Sequence, residues 1–187
     1  MPIEKAGDFS FLPFSLYNKF GFRSFMYLLL NLRVLLLGLW LGAACFFSFA
    51  VAPSAFAVLP SRELAGAMVN RTLAIVNYSG FILGLVLLAS AYVARQNLDR
   101  VKLWFEQGAL LLLTAACAFG QFVIAARLSD LRATINRPID EVSVDDPLRI
   151  AFNDLHGYSV TILMTAMIAA LIAFFLLSGR TKKTNNL

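Results

Sequence analysis

Long apolar runs, separated by short clusters of charged residues, are the main pattern of the chain. The stretches 34–59 and 159–178 contain no Asp, Glu, Lys or Arg. About 18 or more uncharged apolar residues are what a helix needs to cross a bilayer core about 30 Å thick. Two further apolar runs, at 72–94 and 108–127, complete a set of four. We therefore predict an all-α integral membrane protein, a four-transmembrane-helix bundle occupying residues 26–178.

Helix start and stop signals extend the third and fourth helices beyond the bilayer. Leu128, Leu131 and Ile135 keep helical spacing after the third span, and Asn136-Arg137-Pro138 is a stop signal. Asp146 before Pro147 is an N-cap followed by proline at the first helical position, which predicts a helix start. We expect the last helix to run from there to Gly179, and both helices to project as a hairpin joined by an acidic loop.

The first helix is predicted to begin near Met26 and to be kinked at Pro53, because proline cannot donate a backbone hydrogen bond. Arg33, at its start, is expected to extend toward the lipid headgroups. A cleaved signal peptide is the alternative, since Ala50-Val51-Ala52 has the A-x-A form of a cleavage site. The long, partly acidic flank before the apolar run favours retention of the segment.

The segments between and outside the spans are polar or aromatic. Residues 60–71 are predicted to form a loop, and residues 95–106, which include Glu106, a polar turn. Residues 1–25 are predicted to be an aromatic arm at the membrane interface, since aromatic rings beside basic residues suit the headgroup layer. A disordered tail is the alternative, although such tails are poor in aromatics. Residues 179–187 are a basic tail. The aromatic residues assigned to the arm are Phe9, Phe11, Phe14, Tyr17 and Phe20.

Composition and charge agree with a membrane location. Hydrophobic residues make up 59% of the chain and charged residues 14%, against roughly 45–50% and about 25% in soluble domains. The net charge of +5 comes from basic residues that flank apolar runs, which argues against nucleic-acid binding. Ten Lys and Arg residues lie on the side of both termini and six on the other, so both termini are predicted to be cytoplasmic.

Short motifs in the first helix, in the loop after it and in the last helix resemble a known membrane family. They are Leu39-Trp40-Leu41-Gly42, Val51-Ala52-Pro53-Ser54-Ala55-Phe56 with Leu59, Glu63-Leu64-Ala65-Gly66, and Phe152-Asn153-Asp154-Leu155-His156-Gly157-Tyr158-Ser159. They are similar to the four-helix domains grouped with transmembrane protein 205 and, less closely, to the copper-resistance D membrane domain. The resemblance implies a four-helix fold in a bacterial inner membrane and carries no agreed activity.

His156 is the only histidine of the chain, and it is the candidate for binding a cofactor such as heme. Arg149 and Asn153 share its helical face, whereas heme iron or zinc needs further ligands that the sequence does not supply. We favour a structural hydrogen bond from His156 to the third helix.

Three sulfur-bearing residues, Cys45, Cys117 and Met164, fall at similar depths in the predicted membrane, with Met167 one turn beyond the last of them. Thiolate and thioether ligands suit Cu(I), so these residues are the candidate metal site. Packing is the favoured interpretation, because cysteine and methionine are common fillers of protein interiors. No resident cofactor is predicted, and copper or heme is the alternative.

The remaining polar and small residues of the spans indicate helix packing. Glycines let helices approach closely, and the candidate packing positions are Gly38, Gly42, Gly80, Gly84 and Gly120. No ionisable residue is expected deep in the membrane, which ranks small-solute transport last. Motifs of nucleotide-binding enzymes, serine hydrolases and zinc proteases are absent. The favoured function is therefore a non-catalytic accessory subunit that packs on partner subunits or on copies of itself, and the alternative is copper or heme handling.

Overall fold

Four long helices form the described part of the protein. The computed structural model describes residues 14–93 and 100–184, with side chains described for 25–91 and 100–179. We number the helices α1 (residues 14–58), α2 (Arg62–Val93), α3 (Arg100–Ile135) and α4 (Pro147–Thr184). All four are long and apolar enough to cross a membrane. The predicted all-α, four-helix membrane fold is confirmed.

Two of the helices contain a wider, π-helical turn. In α1 the segments Phe14–Phe46 and Ala52–Val58 flank the π-turn Phe47–Val51. Pro53 lies just after this turn, and its missing N–H explains why the regular hydrogen-bond ladder is interrupted there. The kink predicted at Pro53 stays a prediction, and a π-helical turn is what the structure shows there. The α3 helix has a similar turn at Gly120–Ala125.

The connection between α3 and α4 follows the predicted start and stop signals. Asn136 ends α3 in the left-handed region, with φ of 48°, and its N–H donates to the Arg132 carbonyl. A short 3₁₀ turn follows at Ile139–Glu141. Asp146 then caps α4, because its Oδ1 accepts the Leu148 N–H at 2.8 Å. Both the stop after Ile135 and the start at Pro147 are confirmed.

Other helix ends lie further out than expected. The α1 helix begins at Phe14 and not near Met26, and α4 continues through Gly179 to Thr184. The predicted loop at residues 60–71 is wrong, because α2 begins at Arg62, where the Ser61 hydroxyl accepts the Leu64 N–H. Hydropathy marks only the apolar part of a helix, whereas helical hydrogen bonding continues through polar turns.

The helices pack in sequence order around a closed ring. Neighbours along the chain contact one another, and α4 returns to contact α1, so α1 lies diagonally across the bundle from α3. Small residues allow the closest approach, as in membrane bundles generally. On α4 the fully buried alanines are Ala169, Ala170 and Ala173.

The outer surface is apolar at the level of the spans, and the interior combines an apolar core with a few polar groups. Large side chains such as Ile75, Phe46 and Phe175 are exposed at the level of the spans. The buried polar or charged residues within the described side chains are Arg33, Asn77, Glu106, Thr114 and Ser159. An apolar outer surface of this extent differs from that of a soluble protein and suits hydrocarbon as the surrounding solvent.

The described residues include only part of the predicted aromatic arm. Phe9 and Phe11 lie outside the described residues, and Phe14, Tyr17 and Phe20 belong to the helical backbone of α1. The interfacial position of the arm, the membrane limits of the four spans and the basic tail stay predictions.

Candidate functional sites: a buried ion pair and an arginine-lined cleft

A buried ion pair joins α1 to α3. The Nη2 atom of Arg33 lies 2.9 Å from Oε1 of Glu106, and the two side chains are 2% and 0% exposed. The same nitrogen donates to the carbonyl oxygen of Leu87 on α2 at 3.1 Å. One guanidinium thus connects three helices, and it does so across the diagonal of the bundle.

The ion pair overturns two predictions. Arg33 does not extend toward the headgroups but into the bundle, and Glu106 does not belong to a polar turn. Glu106 was assigned to a polar turn because charged residues surround it in sequence, but it lies within α3. The two residues are 73 positions apart, so only tertiary packing brings them together. The available signal was Arg33 itself, since a charge inside a spanning segment usually has a buried partner.

The pair is suited to holding helices in one arrangement. Burying two charges is costly, and their attraction offsets this cost only when the geometry is good. Within the described chain, Nε and Nη1 of Arg33 have no hydrogen-bond acceptor, so the pairing with Glu106 is what compensates the buried cation. Breaking a buried ion pair by removing one of its residues costs about 3–5 kcal/mol. The pair lies roughly 9 Å along α3 from Arg100, at 1.5 Å per residue.

The opposite end of the bundle contains a cleft of about 670 Å³. Its walls come from the first turns of α2, the last turns of α3, the following loop and the first turns of α4. The charged residues that line it are Arg62, Glu63, Arg132, Arg137, Asp140 and Arg149. The arginines thus come from four separate parts of the chain.

The cleft arginines differ in how they are held. Arg62 lies 3.8 Å from Asp140 in an exposed ion pair, and Arg149 donates through Nη1 to the Val142 carbonyl at 2.5 Å. The Arg132 guanidinium lies over the ring of Phe152, 5.3 Å from its centroid, a cation–π geometry.

Gly66 on α2 leaves room beside Arg132. A Cβ atom at this position would lie 3.4 Å from the Arg132 Nη2 atom, an ordinary contact distance. The guanidinium is therefore held between α2 and α4, with its remaining edge available to the cleft.

His156 lines this cleft together with Arg149 and Asn153, which confirms the predicted shared face. The ring is exposed and makes no hydrogen bond to the described part of α3. The predicted structural hydrogen bond from His156 to the third helix is therefore not formed with the described residues. The described residues contain no group of three or more His, Cys, Asp or Glu side chains that could hold a metal ion. A heme at His156 stays a prediction.

The sulfur residues are packed in different surroundings. Cys117 is buried beside Gly80, where an added Cβ would lie 2.6 Å from its Sγ atom. Met164 is 41% exposed, whereas Met167 is buried and lies 3.7 Å from the Ser48 hydroxyl. Cys45 is partly buried. Copper binding by Cys45, Cys117 and Met164 stays a prediction.

Four of the candidate glycines lie at contacts inside the bundle. A Cβ at Gly38 would lie 3.2 Å from the Phe174 ring, and one at Gly120 would lie 3.4 Å from Asn77. Gly80 and Gly84 approach α3 more closely still. Gly42 differs, because nothing lies within 4 Å of the Cβ position. Its predicted packing role therefore has no counterpart within the described chain.

Comparisons with known proteins place the chain in a family. A family model described as a domain of unknown function, DUF4149, matches residues 35–137, more than half of the chain. An uncharacterised protein of Aquifex aeolicus is 37% identical over 105 residues, which are 56% of this chain and 72% of that protein. No solved structure matches. The predicted links to transmembrane protein 205 and copper-resistance D stay predictions, whereas membership of a membrane family without an assigned activity is confirmed: the chain belongs to the DUF4149 family.

Proposed function

We propose that this chain is a non-catalytic membrane protein that serves as a structural or accessory subunit of a larger membrane assembly. The observation that supports this best is how the reactive groups inside the bundle are used. Glu106 binds Arg33, and the Cys117 thiol packs between helices. These groups hold helices together, which favours an architectural function over catalysis.

The outer face of α1 supplies a surface for a partner helix. Gly42 and Ala43 are exposed there, and Gly42 has no neighbour at its Cβ position. The bulky, exposed side chains of Leu39 and Phe46 flank them. Small residues between large ones permit close approach of a second helix in a membrane. The proposed occupant is a helix of a different membrane subunit, and a second copy of this chain is the other outcome to be tested.

Small-solute transport is supported less than an architectural function, although the bundle contains a buried ion pair. A transport pathway places ionisable groups against a water-filled cavity. Arg33 and Glu106 instead bind each other, and neither lines the arginine-lined cleft. The architectural proposal therefore keeps its rank.

Gentle extraction of the tagged, full-length chain from its native membrane tests the proposal. We expect a stoichiometric membrane protein to co-purify with the wild type and to be lost from Gly42→Leu. Gly108→Leu is the matched control, because Gly108 on α3 is also exposed and has no neighbour at its Cβ position. A well-folded monomer without any co-purifying subunit would contradict the proposal, and a homo-oligomer would assign the surface to a second copy.

We further propose that the protein lies in a bacterial inner membrane with both termini in the cytoplasm. The excess of Lys and Arg on the side of the termini and the bacterial origin of the relative support this. Reporter fusions at residues 98 and 143 test the orientation. We expect a cytoplasmic signal at 98 and an external one at 143, and a cytoplasmic signal at 143 would reverse the assignment.

A further inference from the structure

The arginine-lined cleft carries an excess of positive charge that the described chain does not neutralise. Four arginines line it against two acidic residues, Glu63 and Asp140. Of these four arginines, only Arg62 has a carboxylate within 4.0 Å among the described side chains. Arg132, Arg137 and Arg149 therefore present guanidinium groups without an acidic partner. Such groups favour anions, and the planar guanidinium matches two oxygens of a phosphate or carboxylate.

The walls of the cleft change from charged to apolar with depth along the helices. Arg62, Arg137 and Arg149 belong to its outer end, since they lie at or beyond the helix termini. Two or three turns inward the lining includes Val69, Leu73 and Leu128, together with Asn70 and His156. A small hydrated anion gains nothing from an apolar floor, whereas a molecule with an anionic head and an apolar tail matches both parts.

The position of the cleft fits the same ligand. Its arginines lie in the first turns of α2 and α4, in the last turn of α3 and in the loop after it. These positions flank the apolar parts of the predicted spans, where basic residues meet lipid headgroups. Arg132 is stacked on Phe152 and bordered by Gly66, so its guanidinium is pre-positioned. Pre-positioning reduces the conformational entropy that binding would otherwise cost.

We propose that this cleft is a binding site for an anionic amphiphile, with the phosphate group of a lipid held by Arg132, Arg137 and Arg149 and the chain lying against the apolar floor. This site is independent of the proposed subunit function, because the Gly42 surface lies elsewhere on the bundle. Recognition by charge also predicts that binding weakens as salt concentration rises.

Native mass spectrometry of the full-length protein in detergent tests the proposal, with short-chain phosphatidic acid as the probe. Zwitterionic phosphatidylcholine is the comparison lipid, and inorganic phosphate tests a free anion as the source. We expect one phosphatidic acid per chain, with about tenfold weaker binding in Arg132→Gln and in Arg137→Gln. Arg127→Gln is the matched control, since Arg127 is exposed on α3 and does not line the cleft.

A second variant tests the cleft without removing charge. Gly66→Leu places a larger side chain beside Arg132 and is expected to weaken lipid binding while thermal unfolding stays as in the wild type. Equal binding in Arg132→Gln and Arg127→Gln would overturn the proposal, as would equal binding of the two lipids. If inorganic phosphate displaces the lipid at a comparable concentration, the site is assigned to a free anion and the proposal of an amphiphilic ligand is overturned. If Arg132→Gln does not fold, the lipid binding of Arg137→Gln, a variant in the loop, tests the proposal in its place.

Discussion

Gly84 on α2 lies directly against Thr114 on α3. A Cβ atom at Gly84 would be 2.1 Å from the Thr114 hydroxyl oxygen and 3.3 Å from the Thr114 Cα atom. The hydroxyl is itself fixed, because it donates to the Leu110 carbonyl at 2.7 Å. The backbones of the two helices can approach this closely only because residue 84 has no side chain.

Gly84→Ala is therefore expected to destabilise the bundle by about 1–3 kcal/mol, the usual cost of inserting a group into a packed interior. Gly42→Ala is the matched control, because a Cβ there meets nothing within 4 Å and alanine has the higher helix propensity. The free energy of unfolding in mixed detergent micelles measures both. Equal losses in the two variants would show that α2 and α3 do not pack as described.

A second prediction concerns Trp40, whose Nε1 donates to the Val76 carbonyl on α2 at 3.0 Å. Trp40→Phe keeps an aromatic ring and removes the donor, so we expect a loss of roughly 0.5–1.5 kcal/mol in the free energy of unfolding. Trp104→Phe is the control, since Trp104 is exposed. The free energy of unfolding of both variants is measured in mixed detergent micelles. A larger effect at Trp104 than at Trp40 would contradict the buried hydrogen bond.

A third prediction concerns copper. Cys117 packs beside Gly80 and Trp40, and Met164 is exposed, which favours packing over ligation. We expect that changing Cys45 and Cys117 together to serine leaves the copper content of the purified protein unchanged. Elemental analysis measures this, and an absorbance spectrum of the same sample tests for heme. One copper per chain in the wild type, lost in the double variant, would instead support metal handling.

The sequence predicts this fold well, for a physical reason. A bilayer imposes a minimum length of apolar helix, so four spans can be read from composition, and local signals such as Asp146-Pro147 mark helix ends. The polar ends of α2 and α3 were missed, because Arg62 to Arg71 and Arg100 to Glu106 are helical but not apolar.

The candidate sites were harder to predict than the fold. The pairing of Arg33 with Glu106 depends on how helices distant in sequence pack together, and no local sequence pattern predicts that packing. The cleft could be anticipated only in part: Arg149, Asn153 and His156 share a face by helical spacing, whereas Arg62 and Arg132 join them through tertiary structure.

The most direct test of the account is a double-mutant cycle on Arg33→Met and Glu106→Leu, with the free energy of unfolding measured in mixed micelles. Each single variant breaks the buried ion pair, so each is expected to lose about 3–5 kcal/mol, whereas the double variant should lose less than either. If a single variant fails to fold, the double variant should recover folded protein. Small, additive losses would contradict the claim that this ion pair holds α1 against α3 across the bundle.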